Sequence, residues 1–188
     1  MNKYLVALGC IFALSLPRAE SATSSGTIGV SLTLTNGCLI NGSASQNGLS
    51  FGSLDFGASP VTFSQLSTQL SSGGNGGNTF GVQCTSSSYS VVVTGNSNTV
   101  APATAIGLPG NTARYLRNAG NSSQGVAYSL YSDGGFSSEI ANNSPLTRTS
   151  TADGVDYYTL YGRISGGGNS LAVVPGVYSD TINVSVIY

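Results

Sequence analysis

Residues 176–188 read GVYSDTINVSVIY and carry the clearest structural signal in the sequence. Apolar side chains recur at alternate positions through this stretch, at Tyr178, Ile182, Val184, Val186 and Tyr188. Successive side chains of a β-strand point to opposite faces of the sheet, so this spacing is typical of a strand with one buried face. The stretch therefore predicts a β-strand at the end of the chain.

Alternation of the same kind recurs along the chain, while helical spacing of apolar residues does not. The run YSVVVT at 89–94 is more continuously apolar, as expected of a strand covered on both faces. Turn-forming clusters such as SSGGNGG at 71–77 and SGGGNS at 165–170 separate the runs. About seven or eight short strands punctuated in this way predict an all-β sandwich of two antiparallel sheets, with region 95–125 left for a short helix or an ordered loop. The other predicted strands are 27–35, 49–56, 79–84, 126–132 and 155–164.

The start of the chain, residues 1–21, has the pattern of a secretory signal peptide. One lysine precedes the apolar region 5–16, and small residues follow it, which places cleavage near Ser21 or Ala22. The apolar region is too short to span a bilayer as a helix. A lipoprotein signal ending at Cys10 is the alternative, but it would cut the apolar region in half. The sequence therefore predicts export to the periplasm.

The expected mature chain is almost uncharged. It keeps four arginines, no lysine and six acidic residues, a net charge of −2. Charged residues make up 7% of the whole sequence, against about 25% in ordinary soluble domains. So few cations form neither a basic patch for nucleic acid nor a cationic face for anionic lipid. We therefore expect no nucleic-acid partner and no membrane insertion after signal cleavage.

Residues with catalytic chemistry are scarce. The sequence contains no histidine, which excludes Ser-His-Asp and Cys-His arrangements and histidine-based metal sites. Lysine nucleophiles disappear with the signal peptide. Asp153 and Asp156 form the one close acidic pair, but they lie in TADGVD, where Asp and Gly favour a turn and the spacing is not that of a calcium loop. We expect no catalytic residue, metal or cofactor, and hence a protein that is not an enzyme.

Two cysteines, Cys38 and Cys84, remain after signal cleavage and can pair in an oxidising compartment. Alternation in 79–84 puts Phe80, Val82 and Cys84 in phase, so a disulfide there should face the core. Closing a loop of 46 residues stabilises the fold by about 4 kcal/mol in the chain-entropy model. Two free thiols are the alternative.

The segment before Cys38 admits two interpretations. It places Ile28, Val30, Leu32 and Leu34 on one face of a predicted strand. This strand either belongs to its own sandwich or leaves the domain and completes the sheet of a neighbour, where pockets take its alternate side chains. Repeated head to tail, the second arrangement produces an open filament. The pattern alone leaves both interpretations open.

Several short motifs occur together in the expected mature chain. They are TNGC at 35–38, FGSLDFG at 51–57, FGVQC at 80–84, YSLYSD at 128–133, and LYGRI at 160–164 followed by PGVYSDTINVSVIY. In combination they resemble the spore coat protein U domain family, which includes the pilins of archaic (Csu-type) chaperone–usher pili. The resemblance runs from about Thr27 to Tyr188.

This resemblance implies an incomplete immunoglobulin-like antiparallel β-sandwich that lacks its last strand. A periplasmic chaperone would fill the groove first, and the next subunit's N-terminal strand would replace it at an outer-membrane usher. The implied organisation is a signal peptide at 1–21, a donor-strand extension at 22–36 and a pilin domain at 37–188. Ile28, Val30, Leu32 and Leu34 would be the donor residues, and Cys38 and Cys84 match the family's disulfide. The edge strand contacting the chaperone and lining the groove would carry Tyr178, Ile182, Val184, Val186 and Tyr188.

The function implied is that of a structural pilus subunit at the cell surface, supporting adhesion and biofilm formation. Neighbouring pilus subunits would be further partners. With room for one domain, the chain is expected to be a shaft or adaptor subunit. A secreted spore or cell coat protein of the same family is the alternative, and a carbohydrate-binding or enzymatic β-sandwich is a third hypothesis.

Overall fold

The computed structural model describes residues 22–72, 77–167 and 171–188. Regular secondary structure in these ranges consists of β-strands, which confirms the predicted all-β fold class. The predicted signal peptide lies outside the described residues. Within the described ranges, no helix has the length and hydrophobicity needed to cross a membrane. Contacts divide the chain into two compact units, Met1–Leu34 and Thr35–Tyr188.

The second unit contains fourteen short strands among its described residues. They are β1 (Cys38–Ile40), β2 (Gln65–Gln69), β3 (Phe80–Cys84), β4 (Ser90–Asn96), β5 (Thr104–Ile106), β6 (Tyr115–Asn118), β7 (Gln124–Ala127), β8 (Ser129–Tyr131), β9 (Ser144–Pro145), β10 (Ser150–Ala152), β11 (Val155–Tyr158), β12 (Tyr161–Ser165), β13 (Tyr178–Ser179) and β14 (Ile182–Ile187).

These strands form four small sheets, ordered β1-β3-β11-β10, β2-β12-β8, β13-β6-β7-β5 and β14-β4-β9. All pairings are antiparallel except that of β5 with β7. Region 95–125 contributes β5 and β6 and contains no helix in the structure. The region is therefore neither the short helix nor the ordered loop that the sequence left open, because it contributes strands to a sheet.

Three of the long predicted strands are each divided into two. Residues 126–132 break at Tyr128, 155–164 break between β11 and β12, and 176–188 break at Asp180. At each break the chain leaves one sheet and pairs in another. The two halves on either side of each break bury side chains in the same core, while the hydrogen-bonding partner changes.

A single apolar core receives side chains from all four sheets. Phe80 and Val82 on β3 and Val93 on β4 are fully buried, and Leu130 on β8 joins them. Val91, Val92 and Val93 are all buried, as expected for the continuously apolar run at 89–94. Burial of such aliphatic and aromatic side chains is the main favourable contribution to folding.

Two of the predicted strands are absent. Residues 22–34, which belong to the first unit, have no regular secondary structure, so the strand predicted at 27–35 is absent. Region 49–63 has only a bridge between Ser53 and Ser71. Gly52 and Gly57 both have positive φ angles, 119° and 71°, and this conformation interrupts an extended strand.

Candidate functional site: an open apolar groove

The N-terminal segment exposes its alternating apolar side chains. Ile28, Val30, Leu32 and Leu34 are 91%, 93%, 82% and 85% exposed. Isolated apolar side chains on a surface are ordinary, but four in a strand-like alternation leave both the side chains and the backbone groups free for pairing. In this structure the segment does not form a strand of its own sandwich.

The predicted disulfide between Cys38 and Cys84 is confirmed. It joins the first residue of β1 to the last residue of β3, which are paired in register. Cys38 is buried and Cys84 is half-buried against the core, so the disulfide faces the core as the alternation in 79–84 predicts. Beside it, the Gly37 N–H donates to Thr85 Oγ1 (2.9 Å) and the Thr85 N–H donates to the Gly37 carbonyl (2.9 Å). These hydrogen bonds fix Gly37, near the start of the second unit, beside the end of β3.

Strand β14 is an edge strand. It pairs with β4 on one side, and the sheet order leaves its other side without a strand among the described residues. Ile182, Val184 and Val186 are half-buried and pack against the core. Such an edge presents unpaired backbone donors and acceptors, which can template another strand.

The other two residues of the predicted edge strand lie apart from these three. Tyr178 is on β13, which pairs with β6 in a different sheet, although its half-buried ring packs against the same core. Tyr188 follows the end of β14, is 47% exposed and donates its hydroxyl to Gln46 Oε1 (2.8 Å). The structure therefore brings together Ile182, Val184 and Val186 on one edge.

An apolar groove runs beside this edge. A cavity of about 340 Å³ lies between Ile182 and Val184 on β14 and Phe51 and Leu54 on the opposite side. A second cavity, of about 630 Å³, shares Leu54 and Phe56 with the first and extends past Val61 and Phe63 to residues 173–178. The two cavities together define the apolar groove.

Sequence reasoning missed the wall opposite β14. Leu49, Phe51, Leu54, Phe56, Val61 and Phe63 are half-buried and pack against the core, yet region 49–63 forms no strand. The signal lay in the spacing of these apolar residues around Gly52 and Gly57. Spacing alone predicts an ordinary strand at 49–56, which the structure does not contain.

Sequence reasoning also missed a polar cluster at the β13–β14 break, which we call the Asp180 corner. The Asp180 carboxylate accepts hydrogen bonds from Tyr128 Oη (2.8 Å), Asn96 Nδ2 (2.7 Å), the Asn98 N–H (3.0 Å) and the Thr181 N–H (2.8 Å). Asp180 and Tyr128 both line the smaller cavity of the groove. The sequence signal for this corner is the position of Asp180. Asp180 lies between Tyr178 and Ile182 at an alternate position where an apolar residue would fit the pattern.

A buried arginine accompanies this corner. Arg114 is completely buried, and its Nη2 donates to Asn142 Oδ1 (2.7 Å). Burial lowers the pKa of Arg114, while its attraction to the Tyr128 and Asp180 oxygens opposes that shift. Burial, together with the neighbouring Asp180 carboxylate, raises the pKa of Tyr128, so that phenol stays protonated and acts as a donor.

The close acidic pair of the sequence lies in a hairpin. Asp153 and Gly154, with φ angles of 52° and 76°, form the turn between β10 and β11. Asp156 lies on β11, where it pairs with Arg148 (3.0 Å) and accepts a hydrogen bond from Thr151. In the described ranges no three His, Cys, Asp or Glu side chains cluster as metal ligands would.

The fold and the groove define a class: an all-β domain with an unpaired strand edge and an exposed strand-like segment. The profile of the Spore Coat Protein U domain family matches residues 24–185. The chain belongs to this family.

Among solved structures, the chain is similar to the crystal structure of the CsuC–CsuE chaperone–tip adhesion subunit pre-assembly complex from archaic chaperone–usher Csu pili of Acinetobacter baumannii. The identity is 16% and the TM-score 0.44, with 83% of this chain covered. The chain spans 40% of the length of the chain that it matches there. No curated protein matches the sequence.

Proposed function

We propose that this protein is a structural subunit of a surface pilus, assembled by the chaperone–usher route through donor-strand exchange. The observation that carries the proposal is the presence, in one chain, of an exposed alternating segment and an apolar groove beside an unpaired strand edge. In the polymer, the segment of one subunit fills the groove of the next. Family membership supports the same function.

The lengths and chemistry of the two parts match. Residues 28–34 would span about 20 Å as an extended strand, and β14 spans about 17 Å. Each of the four aliphatic side chains gains about 1.5–3 kcal/mol when it moves from water into an apolar groove. The sum is about 6–12 kcal/mol before the cost of ordering the segment is subtracted, and backbone pairing with the β14 edge adds to it.

The proposed partners follow from an unfilled groove. A periplasmic chaperone covers it after export, an outer-membrane usher is the site of exchange, and neighbouring subunits are the final partners. Residues 22–36 form the donor extension and residues 37–188 the pilin domain. The subunit reaches the cell surface in a fimbrium, where it serves in the shaft or as an adaptor and supports adhesion and biofilm formation. It has no catalytic role.

A charge placed on either face of the donor segment tests the proposal. The chain is co-expressed with its chaperone and usher, and surface material is run on a denaturing gel without boiling. We expect a ladder of multimers for wild type and its loss for Leu32→Asp, because a carboxylate cannot enter an apolar groove without a partner. Thr33→Asp is the matched control: it carries the same charge on the opposite face of the strand and should keep the ladder.

A single monomer band for all three proteins would refute strand exchange. A monomeric coat protein of the same family would then be the better description.

A further inference from the structure

We infer that Asp180 is a positioning residue for donor-strand binding: its carboxylate ties the start of β14, one side of the apolar groove, to the neighbouring sheets. The inference rests on the proposed function and assigns a role to a side chain that touches the groove without belonging to its apolar lining.

Asp180 lies where the chain changes sheets. The two residues of β13 pair with β6, and after Asp180 and Thr181 the strand β14 pairs with β4. The sheet containing β13 and the sheet containing β14 are separate in hydrogen bonding. The ladder with β4, extended by the Ser97 N–H donating to the Thr181 carbonyl (2.9 Å), holds the start of β14 on that side. A contact outside this ladder is needed to tie the start of β14 to the other sheets.

The Asp180 carboxylate makes that contact with both sides of the junction. One oxygen accepts from Tyr128 Oη and Asn96 Nδ2, and the other accepts from the Asn98 N–H. Asn96 is the last residue of β4, the partner of β14, while Tyr128 lies between β7 and β8, which belong to two other sheets. Hydrogen bonds to an ionised acceptor are stronger than neutral ones, so this cluster is a firm connection.

Charge strengthens the same connection. Arg114 is completely buried, and attraction to Glu139 and, less strongly, to Asp180 favours its charged form. The Tyr128 N–H also donates to the Arg114 carbonyl (3.0 Å). A buried cation of this kind resists loss of the nearby carboxylate, because an uncompensated buried charge is costly.

The geometry links this connection to the groove. Asp180 and Tyr128 line the smaller cavity together with Ile182 and Val184, the first apolar positions of the β14 edge. The opposite wall, region 49–63, is attached through the bridge between Ser53 and Ser71. A shift in the start of β14 would therefore change the distance between β14 and region 49–63, the two sides that an added strand would contact.

The experiment measures donor release. The subunit is purified in complex with its chaperone and exchanged onto a fluorescent peptide corresponding to residues 22–36, and peptide dissociation is followed after dilution. Asp180→Asn keeps the side-chain shape but removes the charge and offers an N–H where an acceptor is needed. We expect at least tenfold faster release from Asp180→Asn than from wild type.

Two further variants separate positioning from simple loss of stability. Val82→Ala removes core packing away from the groove and should change release less than threefold, even where it lowers the unfolding midpoint as much as Asp180→Asn does. Tyr128→Phe deletes one hydrogen bond to Asp180 and keeps the ring, and we expect about threefold to tenfold faster release. This variant decides the matter if Asp180→Asn does not fold.

Release from Asp180→Asn and Tyr128→Phe no faster than from Val82→Ala would overturn the inference and leave the proposed function intact. Failure of wild type to bind the peptide at all would overturn both.

Discussion

Phe80 is the side chain whose removal should cost this fold most clearly. Its ring is fully buried, stands edge-on to Phe51 at a centroid distance of 5.0 Å and stacks with Tyr158 at 5.5 Å. Truncating a buried Phe to Ala costs about 3–5 kcal/mol. Each aromatic pair adds about 0.5–1.5 kcal/mol beyond burial, so Phe80→Ala should lie in the upper half of that range.

The assay is urea unfolding of the oxidised subunit, followed by tyrosine fluorescence because the chain contains no tryptophan. We expect Phe80→Ala to lower the free energy of unfolding by about 4–5 kcal/mol. Val100→Ala, at a position 71% exposed, is the control and should change it by less than about 0.5 kcal/mol. A loss below about 1.5 kcal/mol for Phe80→Ala would refute the reasoning, since it would mean that the core closes around the missing ring.

Three other perturbations have expected outcomes. Reducing the disulfide should lower the free energy of unfolding by about 4 kcal/mol for its loop of 46 residues; urea curves with and without dithiothreitol that agree within about 1 kcal/mol would contradict this. The hydrogen bond from Thr151, followed by that from Tyr89, lowers the pKa of Asp156. Its ionised form therefore stabilises the fold above the unfolded pKa of about 4, and this contribution is lost as pH falls through the lower folded value. Melting temperatures of wild type and Asp156→Asn should converge on acidification, and a constant gap from pH 7 to pH 2 would argue against this contribution. Gly52→Ala should cost at least about 2 kcal/mol in urea unfolding, because φ is 119° and an added Cβ would lie 2.6 Å from the Ser71 carbonyl oxygen; a wild-type midpoint would show that the backbone relaxes there.

The sequence pattern predicts which side chains of a strand are buried and that the two cysteines pair. Val91, Val92 and Val93 are buried, as their continuously apolar run predicts, and Cys38 and Cys84 pair, as expected of the two cysteines left after signal cleavage. The same spacing does not identify a strand's neighbours. Residues 155–164 are predicted as one strand, yet β11 pairs with β3 while β12 pairs with β2 and β8.

The groove depends on contacts distant in sequence, which a pattern does not contain. Its two sides, region 49–63 and β14, are more than a hundred residues apart, and only the fold places them opposite each other. The Asp180 corner likewise joins Asp180 to Tyr128 across 52 residues. Alternation in 27–35 suits an internal strand and an exported donor equally, so exposure of that segment could not be read from it.

The position of the disulfide has a mechanical consequence. A pull applied to the chain from its N-terminal side reaches the domain at Gly37 and Cys38, and the sulfur–sulfur bond passes it directly to Cys84 at the end of β3. The chain between the two cysteines, a sequence separation of 46 that includes the groove wall at 49–63, is bypassed. At up to about 3.6 Å per residue, roughly 165 Å of chain cannot be drawn out while the bond is intact. Tension therefore acts on a sheet, and the groove wall carries none of it through the backbone.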